Sequence, residues 1–116
     1  MINLVCSSRY CINRSILKSK TQDLLSKADV SPERILNLVF VGKTKMKSLA
    51  LLYKRENIAL PVLTFSYKND DLDGEKLLGE VIICYPQGVL LAAERNRKVD
   101  ETLLSLIKHG IENLLK

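Results

Sequence analysis

Apolar residues change their spacing several times along the chain, and each change marks an element. From Ile2 to Tyr10 apolar and polar positions alternate weakly, the pattern of a short edge strand. Over 12–28, Ile16, Leu17, Leu24 and Leu25 recur at helical spacing among Lys, Ser and Gln. Ser31-Pro32-Glu33 interrupts. The run over 35–41 is then continuously apolar apart from Asn37 and ends at Gly42, the signature of a strand buried on both faces. Thr44 is placed to cap a helix through Met46, Leu49, Ala50, Leu52 and Tyr53. Pro61 opens a strand over 62–67, a polar loop spans 68–78, and a second strand over 80–85 follows Gly79. These two pair as a long-looped antiparallel hairpin or lie as neighbours in one sheet. Pro86 closes the strand, and Val89, Leu90, Ala92 and Ala93 give 87–98 a helical reading. Asp100 caps a last helix over 101–116, with an acidic first turn and with Lys108 and Lys116 late, as the helix dipole prefers. The order β-α-β-α-β-β-α-α predicts an α+β fold. A mixed four-stranded sheet is covered by helices, in a single domain over 1–116.

A chain of 116 residues is enough for one core. No apolar run approaches the roughly 20 residues of a membrane span, and the opening Met1-Ile2-Asn3-Leu4-Val5-Cys6 has neither part of a signal peptide, so no membrane partner is expected. Cys6, Cys11 and Cys84 form an odd set without CxxC spacing. They read as small buried or half-buried side chains of a protein in a reducing, cytoplasmic compartment.

Charge sharpens the picture. The chain holds 18 Lys and Arg against 13 Asp and Glu, a net +5. Residues 1–60 hold 11 basic and 4 acidic residues (+7), and residues 61–116 hold 7 and 9 (−2). A basic first half suits an anionic partner, most often nucleic acid, although lysines on a wet helix face also serve solubility. The middle helix concentrates Lys43, Lys45, Lys47, Lys54 and Arg55.

Two candidate sites stand out. Asn69-Asp70-Asp71-Leu72-Asp73-Gly74, with Glu80 twelfth, approaches a calcium-loop template, but strand-like flanks in place of helices favour a solvated acidic turn. The last helix carries the one histidine. Its apolar stripe (Leu103, Leu104, Ile107, Ile111, Leu114, Leu115) covers about 120°, and His109 falls nearly opposite, with Asn113 one turn on beside it. An i, i+4 pair can grip a metal, but asparagine is a poor zinc ligand, so an exposed or half-buried His109 is the simpler reading.

Three stretches, taken in order, resemble the YbeY family of rRNA-processing proteins. Met46-Lys47-Ser48-Leu49-Ala50-Leu51-Leu52-Tyr53-Lys54, continuing to Val62-Leu63-Thr64-Phe65, is similar to the family's "LNxxYR" helix and "PTDVLSF" turn and strand. Gly79-Glu80-Val81-Ile82-Ile83-Cys84 is similar to "GDIVIC", and His109-Gly110-Ile111-Glu112-Asn113-Leu114-Leu115 to the opening of "HGxLHLxGYDH". The resemblance runs from about Ile35 to the end. It implies a zincin-like α+β fold, a zinc ion held by three histidines, and single-strand-specific endoribonuclease activity. That activity would serve small-subunit rRNA 3′-end maturation and ribosome quality control in the cytoplasm, with single-stranded rRNA and the small ribosomal subunit as partners.

Carried over residue by residue, the resemblance makes His109 the first metal ligand and puts Asn113 at the second. The third falls ten residues after the first, beyond Lys116, so the domain reads as lacking the end of the metal motif. Ala59-Leu60-Pro61 loses the acidic residue of "PTD", Ala50 replaces the asparagine, and Lys54 replaces the arginine as the catalytic cation. Lysine keeps the charge but not the bidentate fork. Lys43, Lys45, Lys47, Lys54 and Arg55 are the RNA-facing set, expected to share a cleft with His109. Two other readings stand beside this one: a non-catalytic rRNA- or ribosome-binding module on the same fold, and another metal-dependent hydrolase such as a peptidase.

Overall fold

The computed structural model describes residues 1–67 and 77–116. In chain order its elements are β1 (Ile2–Val5), α1 (Arg14–Lys27), β2 (Ile35–Val41), α2 (Lys43–Lys54), β3 (Val62–Ser66), β4 (Leu77–Cys84), α3 (Tyr85–Glu94) and α4 (Val99–Leu114). The strands form one sheet in the order β1-β2-β4-β3. β1, β2 and β4 run parallel, and β3 returns antiparallel to β4. This is the α+β domain with a mixed four-stranded sheet that the pattern predicts.

Strand alternation divides the helices between the two faces of the sheet. Leu36, Leu38 and Phe40 of β2, with Val81 and Ile83 of β4, point to one side. There they meet Leu17 and Leu25 of α1 and Leu103, Ile107, Ile111 and Leu114 of α4 in the main core. Leu63 of β3, with Ile82 and Cys84 of β4, points to the other side and meets Met46 of α2 in a smaller cluster.

The second face is thinly covered, which corrects the expectation for β2. Only its even positions are buried; the odd ones are half exposed. Asn37, on that side, takes a hydrogen bond on Oδ1 from Asn3 Nδ2 at 3.0 Å.

Both predicted caps also move. Gly42, not Thr44, is the N-cap of α2, and Lys98, not Asp100, is the N-cap of α4; neither makes a side-chain capping bond. Asp100 lies inside the first turn, where its charge still suits the dipole. Pro86 does not precede α3 but sits in its first turn, where its missing N–H has no helical partner to lose. The acidic turn 69–74 lies outside the described residues. Glu80 stays in β4 opposite Phe65, and its carboxylate accepts a hydrogen bond from Tyr67 Oη at 3.2 Å.

Candidate nucleic-acid interface

α2 is a helix that uses little of its surface for packing. Met46 and Ala50 are its buried residues, and Leu49 adds a half-buried contact. Ala50, matched by the resemblance to an asparagine, is fully buried here. The rest of the helix is open to water. Lys43, Lys45, Lys47, Lys54 and Arg55 are all exposed, and so are three consecutive large side chains, Leu51, Leu52 and Tyr53. Leu52 keeps 69% and Tyr53 58% of its full exposure. The Tyr53 ring makes a T-shaped contact with Phe65 of β3, with centroids 4.8 Å apart and planes at 71°. An exposed aromatic ring on a helix that also carries cations is a feature suited to stacking with a base.

The helix ends on Arg55 in the left-handed conformation (φ 57°), with Glu56 N–H donating to Ala50 O at 3.2 Å. Glycine is the usual residue there, and an L side chain in that region costs roughly 1–2 kcal/mol. The cost falls on a residue of the basic set.

The structure brings only part of that set into one cleft. Lys43, Thr44, Lys47, Asn57, Ile58, Ala59 and Gln87 line a depression of about 490 Å³ at the start of α2. Gln87 fixes its far wall by donating from Nε2 to Ala59 O at 2.7 Å. Lys45, Lys54 and Arg55 do not line it. Lys54 occupies the last helical position. Beneath the cleft, burial pushes the Cys84 thiol above its ordinary range, and the Lys43 charge opposes that rise in part.

α4 is placed by Gly110. A Cβ there would stand 2.7 Å from Val81 Cγ1, 3.2 Å from Val62 Cγ2 and 3.4 Å from Thr64 Cγ2. The missing side chain lets the helix seat on β3 and β4. His109 and Asn113 then fall on the outer side of α4, both exposed. The cleft nearest in sequence, between the C-terminal ends of α1 and α4, is lined by Lys108, Ile111 and Glu112 but not by His109. α4 and the basic helix α2 pack on opposite faces of the sheet.

A zinc ion of the expected kind needs three imidazoles, or thiolates and carboxylates in their place. One imidazole and one amide do not supply that set, and no group of three His, Cys, Asp or Glu able to hold a metal occurs among the described residues. The residues present do not fit a tightly held zinc.

Two features escaped the sequence. Tyr53 belongs to the helical stripe by spacing, but it touches the sheet only partly and stays exposed. Thr102 is buried on α4 with a hydroxyl that has no hydrogen-bond partner among the described residues, and it lines a cleft with Arg95 and Arg97. The arginine pair alone was visible in the sequence.

A family profile described as Endoribonuclease YbeY matches residues 7–115. Curated relatives carrying that description include proteins of Thermodesulfovibrio yellowstonii and Janthinobacterium sp. (strain Marseille). The first is 32% identical over 81 residues, covering 70% of this chain and 51% of the relative. The second is 32% identical over 96 residues, covering 83% and 62%. A relative from Dehalococcoides mccartyi (strain CBDB1) is 29% identical over 129 residues, covering 98% and 78%. The chain thus spans about half the length of the first of these relatives. In fold it is similar to a Thermotoga maritima protein of known solution structure, with a TM-score of 0.63 at 22% identity over 100% of this chain and 73% of the other. The family match also takes in α1 and the turn before it, which the quoted motifs had left out. With nearly every described element inside that match and the sheet order in agreement with a mixed α+β domain, the chain belongs to the YbeY family.

Proposed function

We propose that the chain serves as a YbeY-type RNA-processing protein. It engages single-stranded rRNA of the small ribosomal subunit, in maturation of the 3′ end and in ribosome quality control, in the cytoplasm. Lys43, Lys45, Lys47, Lys54 and Arg55 hold the phosphate backbone, and Tyr53 offers a face to a base. The observation that carries this reading is the open surface of α2, which exposes five cations and a tyrosine along one helix and its end. Exposed cations with an aromatic ring on the same helix suit a single strand without demanding a sequence. The name carried by the relatives, Endoribonuclease, agrees with that substrate class.

The metal is where this chain departs from the family pattern. His109 and Asn113 do not make a zinc site, so no cleavage step is assigned to these residues. Lys54, in the place of the family's arginine, provides a point charge on a phosphate rather than a fork. The same donor set favours a second reading, a non-catalytic rRNA- or ribosome-binding module. No particular observation favours a peptidase.

Both readings are tested together. Affinity for a labelled single-stranded oligoribonucleotide should fall with salt, with a slope of about −0.7 per phosphate neutralised. Lys54→Ala with Arg55→Ala should flatten that slope by about 1.4 if each removes one contact. A flat salt response, or an unchanged slope in the double variant, refutes the basic helix as the RNA surface. Metal analysis of the same protein divides the two readings. Stoichiometric zinc with strand cleavage supports the nuclease, and RNA affinity without bound zinc supports the binder.

A further inference from the structure

A second basic cleft lies on the other helical layer, where α3 gives way to α4. It encloses about 550 Å³ and is lined by Arg95, Arg97, Glu101, Thr102 and Ser105. The turn that builds it is tight. Asn96 takes the left-handed conformation (φ 52°), and Arg97 N–H donates to Ala92 O at 2.9 Å. Two guanidinium-bearing residues flanking that turn therefore reach the same cleft.

Two things are left unsatisfied there. The N-cap of α4 is Lys98, which has no acceptor in its side chain, and no side-chain bond closes the helix start. The first-turn N–H groups of a 16-residue helix are then without a capping acceptor. Thr102 is 2% exposed, and its Oγ1 is buried with no hydrogen-bond partner among the described residues. The contrast with Thr21 is informative. Thr21 is equally buried on a helix, and its hydroxyl donates to Leu17 O, four residues back, at 2.6 Å. Thr102 has the same opportunity and does not take it. A buried hydroxyl left unpaired on the wall of a polar cleft calls for a partner from outside the chain.

We propose that this cleft binds an oxyanion of the phosphate class. Arg95 and Arg97 supply forked donors matched to phosphate oxygens. The start of α4 supplies free N–H groups and the positive end of its dipole. Thr102 and Ser105 supply hydroxyl donors. Glu101 opposes binding, one carboxylate against two guanidiniums, and so tunes affinity downward. The site is independent of the RNA surface proposed above, because α4 and α2 pack on opposite faces of the sheet.

Titration of the intact protein with inorganic phosphate at constant ionic strength, followed by amide NMR, tests it. Saturable shifts are expected at residues 99–102. Arg95→Ala with Arg97→Ala should weaken binding about tenfold or more, since two charge-assisted forks are lost. Thr102→Val should weaken it roughly threefold while leaving the fold as stable as before or more so, because an unpaired buried hydroxyl is removed. Glu101→Gln should tighten it. No saturable shift, or equal affinity in the double arginine variant, overturns the site. Unchanged affinity in Thr102→Val overturns the part given to that hydroxyl. Competition names the source of the phosphate. Displacement only by a 5′-phosphorylated oligoribonucleotide indicates a chain end, displacement by its 5′-hydroxyl counterpart as well indicates backbone phosphates, and displacement by neither indicates a free anion.

Discussion

Among the described residues two glycines sit inside helices, and the same substitution should affect them differently. At Gly110 of α4 an added Cβ would lie 2.7 Å from Val81 Cγ1, with Val62 Cγ2 at 3.2 Å and Thr64 Cγ2 at 3.4 Å. At Gly88 of α3 it would lie 2.7 Å from Leu103 Cδ2, with Leu106 Cδ1 next at 3.7 Å. In both helices alanine gains about 1 kcal/mol of intrinsic propensity over glycine. The difference is in what must yield. Val81, Val62 and Thr64 are β-branched, with one stiff torsion each, and stand on two paired strands. They cannot step aside without shifting the sheet, so α4 must lift. Overpacking of that kind costs about 3 kcal/mol at the upper end of its range. Gly110→Ala should therefore lose about 2 kcal/mol net. With roughly 2.1 cal/mol/K of unfolding entropy per residue, that is about 8 °C in Tm for a chain of this length. At Gly88 the obstacle is the far end of a leucine, which rotates about two torsions, so propensity gain and repacking cost should nearly cancel. Urea unfolding of both variants measures the difference. If Gly110→Ala proves as stable as the parent, or if both variants change alike, the close seating of α4 on β3 and β4 is not what fixes the helix.

Two further outcomes follow from local structure. Asn13 Oδ1 accepts from Ile16 N–H at 3.1 Å as the N-cap of α1, so Asn13→Ala should cost about 1 kcal/mol, read by chemical denaturation; no loss would mean that the start of α1 is held by other contacts. The Cys84 thiol is pushed up chiefly by burial, above an ordinary value of 9.0. Above that pH the unfolded chain's thiol ionises while the folded one stays protonated, so stability should fall as pH rises, and Cys84→Ala should make the alkaline slope shallower in unfolding curves taken from pH 8 to 10.5; an unchanged slope would refute the assignment.

The sequence was most legible where periodicity and burial coincide. The stripe from Leu103 to Leu114 faces the main core, and His109 opposite it is exposed, because sixteen residues of one helix leave little freedom in phase. The run at 35–41 gave the strand to the residue but misjudged its burial: apolar content does not tell whether a second helix layer covers the far side, and here only α2 does. Capping was least legible. Thr44 and Asp100 are good N-cap residues, yet both lie within the first turn of a helix that starts earlier. The tight connections into α2 and α4 begin those helices before the preferred side chain is reached, and connection length is a tertiary property. The separation of His109 from the lysines is of the same kind. Each side chain has the exposure its helix predicts, but which face of the sheet a helix covers is set by topology and is invisible to a local pattern.

That separation has a consequence at β3. Among the described residues β3 is an edge of the sheet, and α4 and α2 approach it from opposite faces: Thr64 lies under Gly110, while Phe65 meets Tyr53. Cys84 N–H donates to Pro61 O at 2.9 Å and Tyr67 N–H to Leu78 O at 3.1 Å. Antiparallel pairing alternates, so with these two bonds directed inward the odd positions face β4, and Val62, Thr64 and Ser66 turn their N–H and C=O groups to the open edge. An RNA strand that runs from the cations of α2 over β3 to the outer side of α4 would cross that edge, where these peptide groups offer donors and acceptors. If one strand serves both helices, titration with a single-stranded oligoribonucleotide should shift the amides of Val62, Thr64 and Ser66 at the same concentration as those of α2. If it shifts α2 alone, the histidine helix stands apart from the RNA, and α4 and the basic helix do not act on one substrate.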